Sequence, residues 1–180
     1  MTPSAQIVLM MTVLALVIAA AVVDWRSRRI PNLLTLGGML VGFALQATFN
    51  GLDGVQAALG GWAVGFALMI PGYALGQTGA GDVKLLATAG VFLGPATTLV
   101  AGLSSILVGV LVALLIAMFG RGANPWARYG NMLRCLLVTG KAAYVPPQAG
   151  EVMARSFPYA VAIAAGTLFA LYWSVIGWIP

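Results

Sequence analysis

Apolar residues run along this chain in long stretches, not in the alternation of a strand or the stripe of a surface helix. The runs fall at 7–23, 33–49, 55–75, 83–93, 96–119 and 157–179, separated by clusters rich in Gly, Pro, Asn, Asp and Arg. All but the fourth have the roughly 17–25 residues that a helix needs to cross a hydrocarbon layer. The fourth, Val83 to Leu93, would rise only about 16 Å, near half of a core of about 30 Å. Its start is therefore expected in a recess, because non-helical backbone at that depth must be buried in protein or line a watery cavity. The pattern predicts an all-α membrane protein with six transmembrane helices forming one membrane-embedded domain over residues 1–180.

The breaks between runs carry their own signals. Run one ends in Asp24-Trp25-Arg26-Ser27-Arg28-Arg29, and Pro31-Asn32 then stops the helix. Ala19-Ala20-Ala21 resembles a signal-peptidase site, but the arginines follow the run where a secretory signal carries them before it, so the span is expected to be retained. The second run, Leu33 to Phe49, has Thr35 and Gln46 as polar interruptions. Asn50-Gly51-Leu52-Asp53-Gly54 is a turn by composition, and Pro71-Gly72 predicts a kink or fraying near the end of the third run. Within the connection from Gly120 to Ser156, Asn124-Pro125 suits a helix start. Trp126, Tyr129, Leu133, Leu136 and Leu137 then share one face, with Arg128, Asn131 and Arg134 off it. That is the pattern of a basic amphipathic helix lying in the lipid interface between spans five and six.

Composition narrows the chemistry. The chain is 61% hydrophobic and 7% charged, more apolar than a soluble domain of 180 residues could hide. With six spans, all nine Lys and Arg fall on the side that follows spans one, three and five. The positive-inside rule makes that side cytoplasmic and puts both termini outside, so the net charge of +5 reports topology and anionic-lipid contact, not nucleic acid. Trp25, Trp126 and Trp178 fit an aromatic belt. One cysteine, Cys135, and no histidine rule out an internal disulfide and a Ser-His or Cys-His nucleophile, and disfavour a zinc site. No metal or cofactor is expected. Hydrolysis would rest on carboxylates, or on a serine paired with Lys84 or Lys141.

The carboxylates are Asp24, Asp53, Asp82 and Glu151. An acid near or inside a bilayer is costly unless it is paired, solvated or used. Asp82 stands in Gly79-Ala80-Gly81-Asp82-Val83-Lys84, where the glycines allow unusual dihedrals and close approach of an extended peptide. Its plainer reading is a helix N-cap. Asp24 closes span one on the same side, and its plainer reading is a pair with Arg26 or Arg28. If spans one and four are neighbours, the two carboxylates meet and share one proton, so that one polarises a carbonyl while the other activates water. Lys84 either tunes Asp82 or binds a peptide carbonyl, or it simply snorkels. Gly79 and Gly81 are expected to shape the backbone, and Pro31-Asn32 the turn that holds Asp24. Asp53 falls on the opposite side, in a solvated turn.

Asp24-Trp25-Arg26 leading to Arg29-Ile30-Pro31-Asn32, then Gly79-Ala80-Gly81-Asp82-Val83-Lys84, and finally Phe157-Pro158-Tyr159-Ala160 with Ala162 to Gly166, resemble the type IV prepilin peptidase family of GxGD aspartic proteases. The resemblance implies that Asp24 and Asp82 are the catalytic pair. It also implies that the enzyme removes the basic leader of prepilin or pseudopilin precursors at the cytoplasmic face of the bacterial inner membrane. Longer members carry an N-terminal region with paired cysteines and methylate the new N-terminus. This chain is similar to the short form of tight-adherence (Flp-type) pilus systems and to archaeal preflagellin peptidases, and methylation is not expected of it. The Tyr-Asp pair of the presenilin branch is absent, since Val23 precedes Asp24. From outside the peptidases, a small transporter using Asp24 and Asp82 as a proton or cation site is the alternative, and a structural assembly subunit is the third.

Overall fold

Hydrocarbon gives a peptide backbone no hydrogen-bond partner but itself, and the apolar runs answer with helices. The computed structural model describes residues 3–74, 77–119, 126–140 and 158–177, and of residues 117 and 126–129 the backbone alone. Among the described residues there are five helices: α1 (Pro3–Ser27), α2 (Asn32–Ala74), α3 (Ala80–Phe119), α4 (Trp126–Thr139) and α5 (Tyr159–Val175). By length and composition α1, α2 and residues Ala80–Ile116 of α3 can each cross a membrane, and α5 is a shorter apolar helix.

The second and third runs lie in α2 and the fourth and fifth in α3, each pair parted by a single glycine with non-helical dihedrals. These are Gly51 (φ 60°, ψ −138°) and Gly94 (φ 72°, ψ 173°). Side chains rarely adopt a positive φ, so both positions require glycine. The chain folds back on itself there. Gly90 faces Thr98 and Gly102 faces Leu86, so the arms of α3 run antiparallel about Gly94. Gly54 likewise lies against the Gln46 carbonyl across Gly51. The arm of α2 before Gly51 runs beside the first arm of α3 in the same direction, with Gly38 against Thr88 and Gly42 against Val91 and Phe92. Its second arm returns in the opposite direction, with Gly61 against Gly90 and Gly65 against Leu86.

Breaking α3 at Gly94-Pro95 has a local cost. Pro95 has no N–H, so the Val91 carbonyl loses its helical donor. Gln46, 3% exposed, repairs this from α2: its Nε2 donates to the carbonyls of Val91 (3.3 Å) and Phe92 (3.2 Å). Asn50 Nδ2 donates in turn to Gln46 Oε1 at 2.9 Å. The polar interruption at Gln46 is thus a cap for another helix. Pro71 sits within α2, which continues to Ala74.

Two compact units emerge, residues Met1–Val108 with Pro158–Pro180, and Gly109–Phe157. In the first, α1 packs along α5 and against α2. One apolar cluster gathers Leu9, Val13, Val17, Val91 and Phe92, and a second gathers Ala20, Met69, Leu85, Leu86 and Ile163. In the second unit α4 forms a helix after residue 125, on which Leu133, Leu136 and Leu137 are exposed, as are Asn131 and Arg134. Asn124-Pro125, Arg121, Lys141, Glu151, Arg155, Phe157 and Trp178 lie outside the described residues, as do the side chains of Trp126, Arg128 and Tyr129.

A methyl group added at Gly61 would collide with the Gly90 carbonyl, a backbone obstacle, whereas one at Gly37 would meet nothing within 4 Å. Gly61→Ala is therefore expected to destabilise by about 1–3 kcal/mol. Gly37→Ala should be neutral or stabilising by up to about 1 kcal/mol, through helix propensity alone. Thermal unfolding of both variants in the same detergent checks the contrast.

Candidate active site

Helix α1 ends where its carbonyls find substitutes. The Arg28 N–H donates to the Asp24 carbonyl at 2.9 Å, and Arg28 itself takes φ 54°, the left-handed turn that commonly closes helices. The Ser27 hydroxyl bonds the carbonyls of Val23 and Arg29. Pro31 then opens α2, its carbonyl accepting the N–H of Leu34 at 3.0 Å. Pro31 thus stands immediately before α2. Asn32 Oδ1 accepts Lys84 Nζ at 2.9 Å, tying α2 to the first turn of α3. Thr88 repeats that tie one turn further on, donating to the Thr35 carbonyl.

Asp24 is 7% exposed, and the partner of its Oδ2 is the N–H of Ala160, at 3.3 Å across to α5. Pro158 occupies the N-cap of α5 and offers no side-chain cap, so the first N–H groups of that helix need an acceptor from elsewhere. A carboxylate is well suited, because it meets both the free donors and the positive end of the helix dipole. The contact runs to α5, not to Arg26 or Arg28, so the pairing within a cationic belt is not what the described residues show.

Asp82 is 9% exposed and stands in the first turn of α3. It is not the N-cap. Gly79 holds that place, and the two residues exchange bonds: the Gly79 N–H donates to Asp82 Oδ2 at 2.9 Å, and the Asp82 N–H donates to the Gly79 carbonyl at 3.1 Å. This is the acidic half of a capping box. It engages one carboxylate oxygen by this bond. The glycines matter through space more than through dihedrals, since neither has a positive φ. Above Gly81 the side chain of Ile30 sits where a methyl group would make contact at 3.3 Å, so the connector between α1 and α2 lies directly over the turn.

The two carboxylates lie within electrostatic range of each other. Asp24 is near enough for its charge to act on Asp82, and the charge of Asp82 reaches the phenol of Tyr159, at the start of α5. One centre thus collects Asp24 from α1, Asp82 from α3, and Tyr159 with the Ala160 N–H from α5, floored by the apolar cluster of Ala20, Val83, Leu86 and Ile163. Two nearby carboxylates, largely shielded from water, can hold one proton between them and act as an acid and base pair. Among the described residues, no three of His, Cys, Asp and Glu converge as a metal site would require. Lys84 is exposed and engaged with Asn32, which places it as a brace beside the centre. Asp53 is remote and exposed, as its turn suggested. Tyr159, Ala160 and Ile30 were visible in the sequence only inside motifs, because a backbone donor and a covering side chain leave no compositional trace.

The dual use of Asp24 separates charge from shape. Asp24→Ala removes the acceptor at α5 and should cost about 0.5–2 kcal/mol of stability, whereas Asp24→Asn keeps an acceptor oxygen there and should cost less. Unfolding midpoints in detergent compare them. The Lys84–Asn32 bond, exposed and charge-assisted, should show a coupling of roughly 0.5–1.5 kcal/mol in a double-mutant cycle of Lys84→Met and Asn32→Ala.

Comparison with curated proteins and with solved structures gives no significant match. The model of the type IV leader peptidase family matches residues 11–114, more than half of the chain and a stretch that holds both Asp24 and Asp82, and the chain belongs to that family.

Proposed function

We propose that the chain is a membrane aspartic endopeptidase that removes the leader from prepilin or pseudopilin precursors, with Asp24 and Asp82 as its catalytic pair. The observation that carries this reading is that those two carboxylates, at the ends of separate apolar helices, lie within electrostatic range of each other in a chain of this family. The ionised member of the pair takes a proton from water as the water oxygen attacks the scissile carbonyl carbon. The protonated member gives its proton to the carbonyl oxygen. As the tetrahedral diol collapses, one of its hydroxyls gives its proton back to the carboxylate that had protonated the carbonyl oxygen, the C–N bond breaks, and the other carboxyl passes its proton to the leaving amine. Asn32 and Lys84 brace the turn, while Gly79 and Gly81 keep its backbone bare enough for an extended peptide.

In this reading residues 1–180 form one bacterial inner-membrane domain. The reversals at Gly51 and Gly94 support six crossings, since each divides a helix of 43 or 40 residues into two. The cation distribution supports a cytoplasmic active centre with both termini outside, and α4 lying in the interface against anionic lipid. Membership in a leader peptidase family gives the transporter alternative no support.

Co-expression with a pilin precursor encoded beside this chain tests the proposal. Asp24→Asn and Asp82→Asn, inserted at wild-type levels, should each slow leader removal by about 10²-fold or more. Cleavage at wild-type rate by both variants would sink the carboxylate mechanism.

A further inference from the structure

A large cavity among the described residues lies away from the aspartates. It has a volume of about 830 Å³ and opens among the far ends of the same helices, where α1 begins, α5 ends, and α2 and α3 reverse. Along α1, Gln6 and Leu9 on its wall stand 15–18 residues before Asp24, a rise of roughly 22–27 Å. It therefore lies near the opposite boundary of the apolar layer. Its volume falls within the roughly 300–1,000 Å³ of sites that take small molecules.

Its walls are of two kinds. Leu9, Met10, Val13, Phe92 and Leu171 form an apolar part, and Asn50, Asp53, Thr97 and Ser174 a polar one. Two of the three side-chain amides on this wall already donate within the protein: Gln46 Nε2 to the Val91 and Phe92 carbonyls, and Asn50 Nδ2 to Gln46 Oε1. What faces an occupant is rich in acceptors and carries one formal charge, the exposed carboxylate of Asp53. No Lys or Arg lies among the lining residues to neutralise it. A donor-rich cation joined to an apolar body complements both parts, and at a membrane boundary the abundant molecule of that chemistry is an aminophospholipid.

We infer that this cavity is a lipid site for phosphatidylethanolamine, with the ammonium group on Asp53 and an acyl chain along Leu9, Val13, Phe92 and Leu171. A primary ammonium brings three N–H donors and a compact charge, which Asp53 and the Asn50 amide oxygen can accept together. Phosphatidylglycerol, with hydroxyls and net negative charge, would meet the carboxylate unfavourably. The site is independent of peptide cleavage, since its residues stand apart from Asp24 and Asp82.

Delipidated full-length protein in detergent, titrated with dioleoyl phosphatidylethanolamine, dioleoyl phosphatidylglycerol or the chain-free headgroup glycerophosphoethanolamine, tests the inference by thermal unfolding. The wild type should gain roughly 5 °C or more with the first, and little with the second or third. Asp53→Lys should abolish that gain, and Asp53→Asn should reduce it while leaving the midpoint without lipid unchanged. Ala57→Trp, which fills the cavity wall, should abolish it with Asp53 intact. Equal stabilisation by both phospholipids, or a full gain retained in Asp53→Lys and Ala57→Trp, would overturn the lipid site. A shift given by the headgroup alone would overturn the lipid and assign the cavity to a soluble amine. Where a variant unfolds before titration, native mass spectrometry of the purified wild type decides by whether the ethanolamine or the glycerol phospholipid is retained.

Discussion

A helix that stops inside an apolar layer leaves backbone groups that no water can serve, and the structure is arranged around supplying them. Gln46 lends its amide to the carbonyls freed by Pro95. Asp24 accepts from the start of α5, which has no side-chain cap of its own. Asp82 accepts from Gly79 at the start of α3. Each repair brings a polar side chain into a place where polarity is costly, and two of the three repairs use carboxylates. The proposed catalytic pair is thus made of groups that also hold the helix ends, and only a substitution that preserves hydrogen bonding while deleting charge separates the two uses.

Much of the fold was legible because hydropathy reads the solvent directly. Apolar runs had to become helices, and the breaks at Asn50-Gly51 and Gly94-Pro95 had to interrupt them. The sequence could not say that each break would consist of one glycine at positive φ, about which the two arms fold back on each other. Asp24 and Asp82 stood out by scarcity, since an acid among apolar neighbours must have a partner or a task. Their partners did not stand out. A backbone N–H at Ala160 belongs to every residue, and nothing in composition marks the one that a distant carboxylate will find. Gln46 read as an interruption because its role depends on a proline 49 positions later, a pairing that exists only once α2 and α3 lie side by side.

The glycines of the Gly79-to-Asp82 turn show a related limit. Sequence reasoning gave them two uses, unusual dihedrals and the close approach of an extended peptide; neither has a positive φ, and the neighbour over Gly81 is the chain's own Ile30. Ile30 rests over Gly81, so the connector following Asp24 covers the turn preceding α3. A larger residue at position 81 would lift that connector. The α1–α2 link and the α3 turn are therefore one packed object, held together on one side by apolar contact and on the other by the Lys84–Asn32 bond.

What brings the aspartates to one level is a contact far from either. Gly38 of α2 has no side chain, and into that space reach the Leu16 side chain of α1 and the Thr88 methyl of α3. Helices α1 and α3 are thereby set on either side of a single bare position. From Leu16 to Asp24 the chain climbs eight residues, roughly 12 Å, and from Thr88 back to Asp82 six residues, roughly 9 Å. Both paths lead toward the same end of the bundle, so the carboxylates arrive within about two residues' rise, roughly 3 Å, of the same depth. A methyl group at position 38 would meet the far end of the Leu16 side chain at 2.7 Å, so a larger residue there requires Leu16 to shift and loosens the packing that Leu16 and Thr88 make over this position.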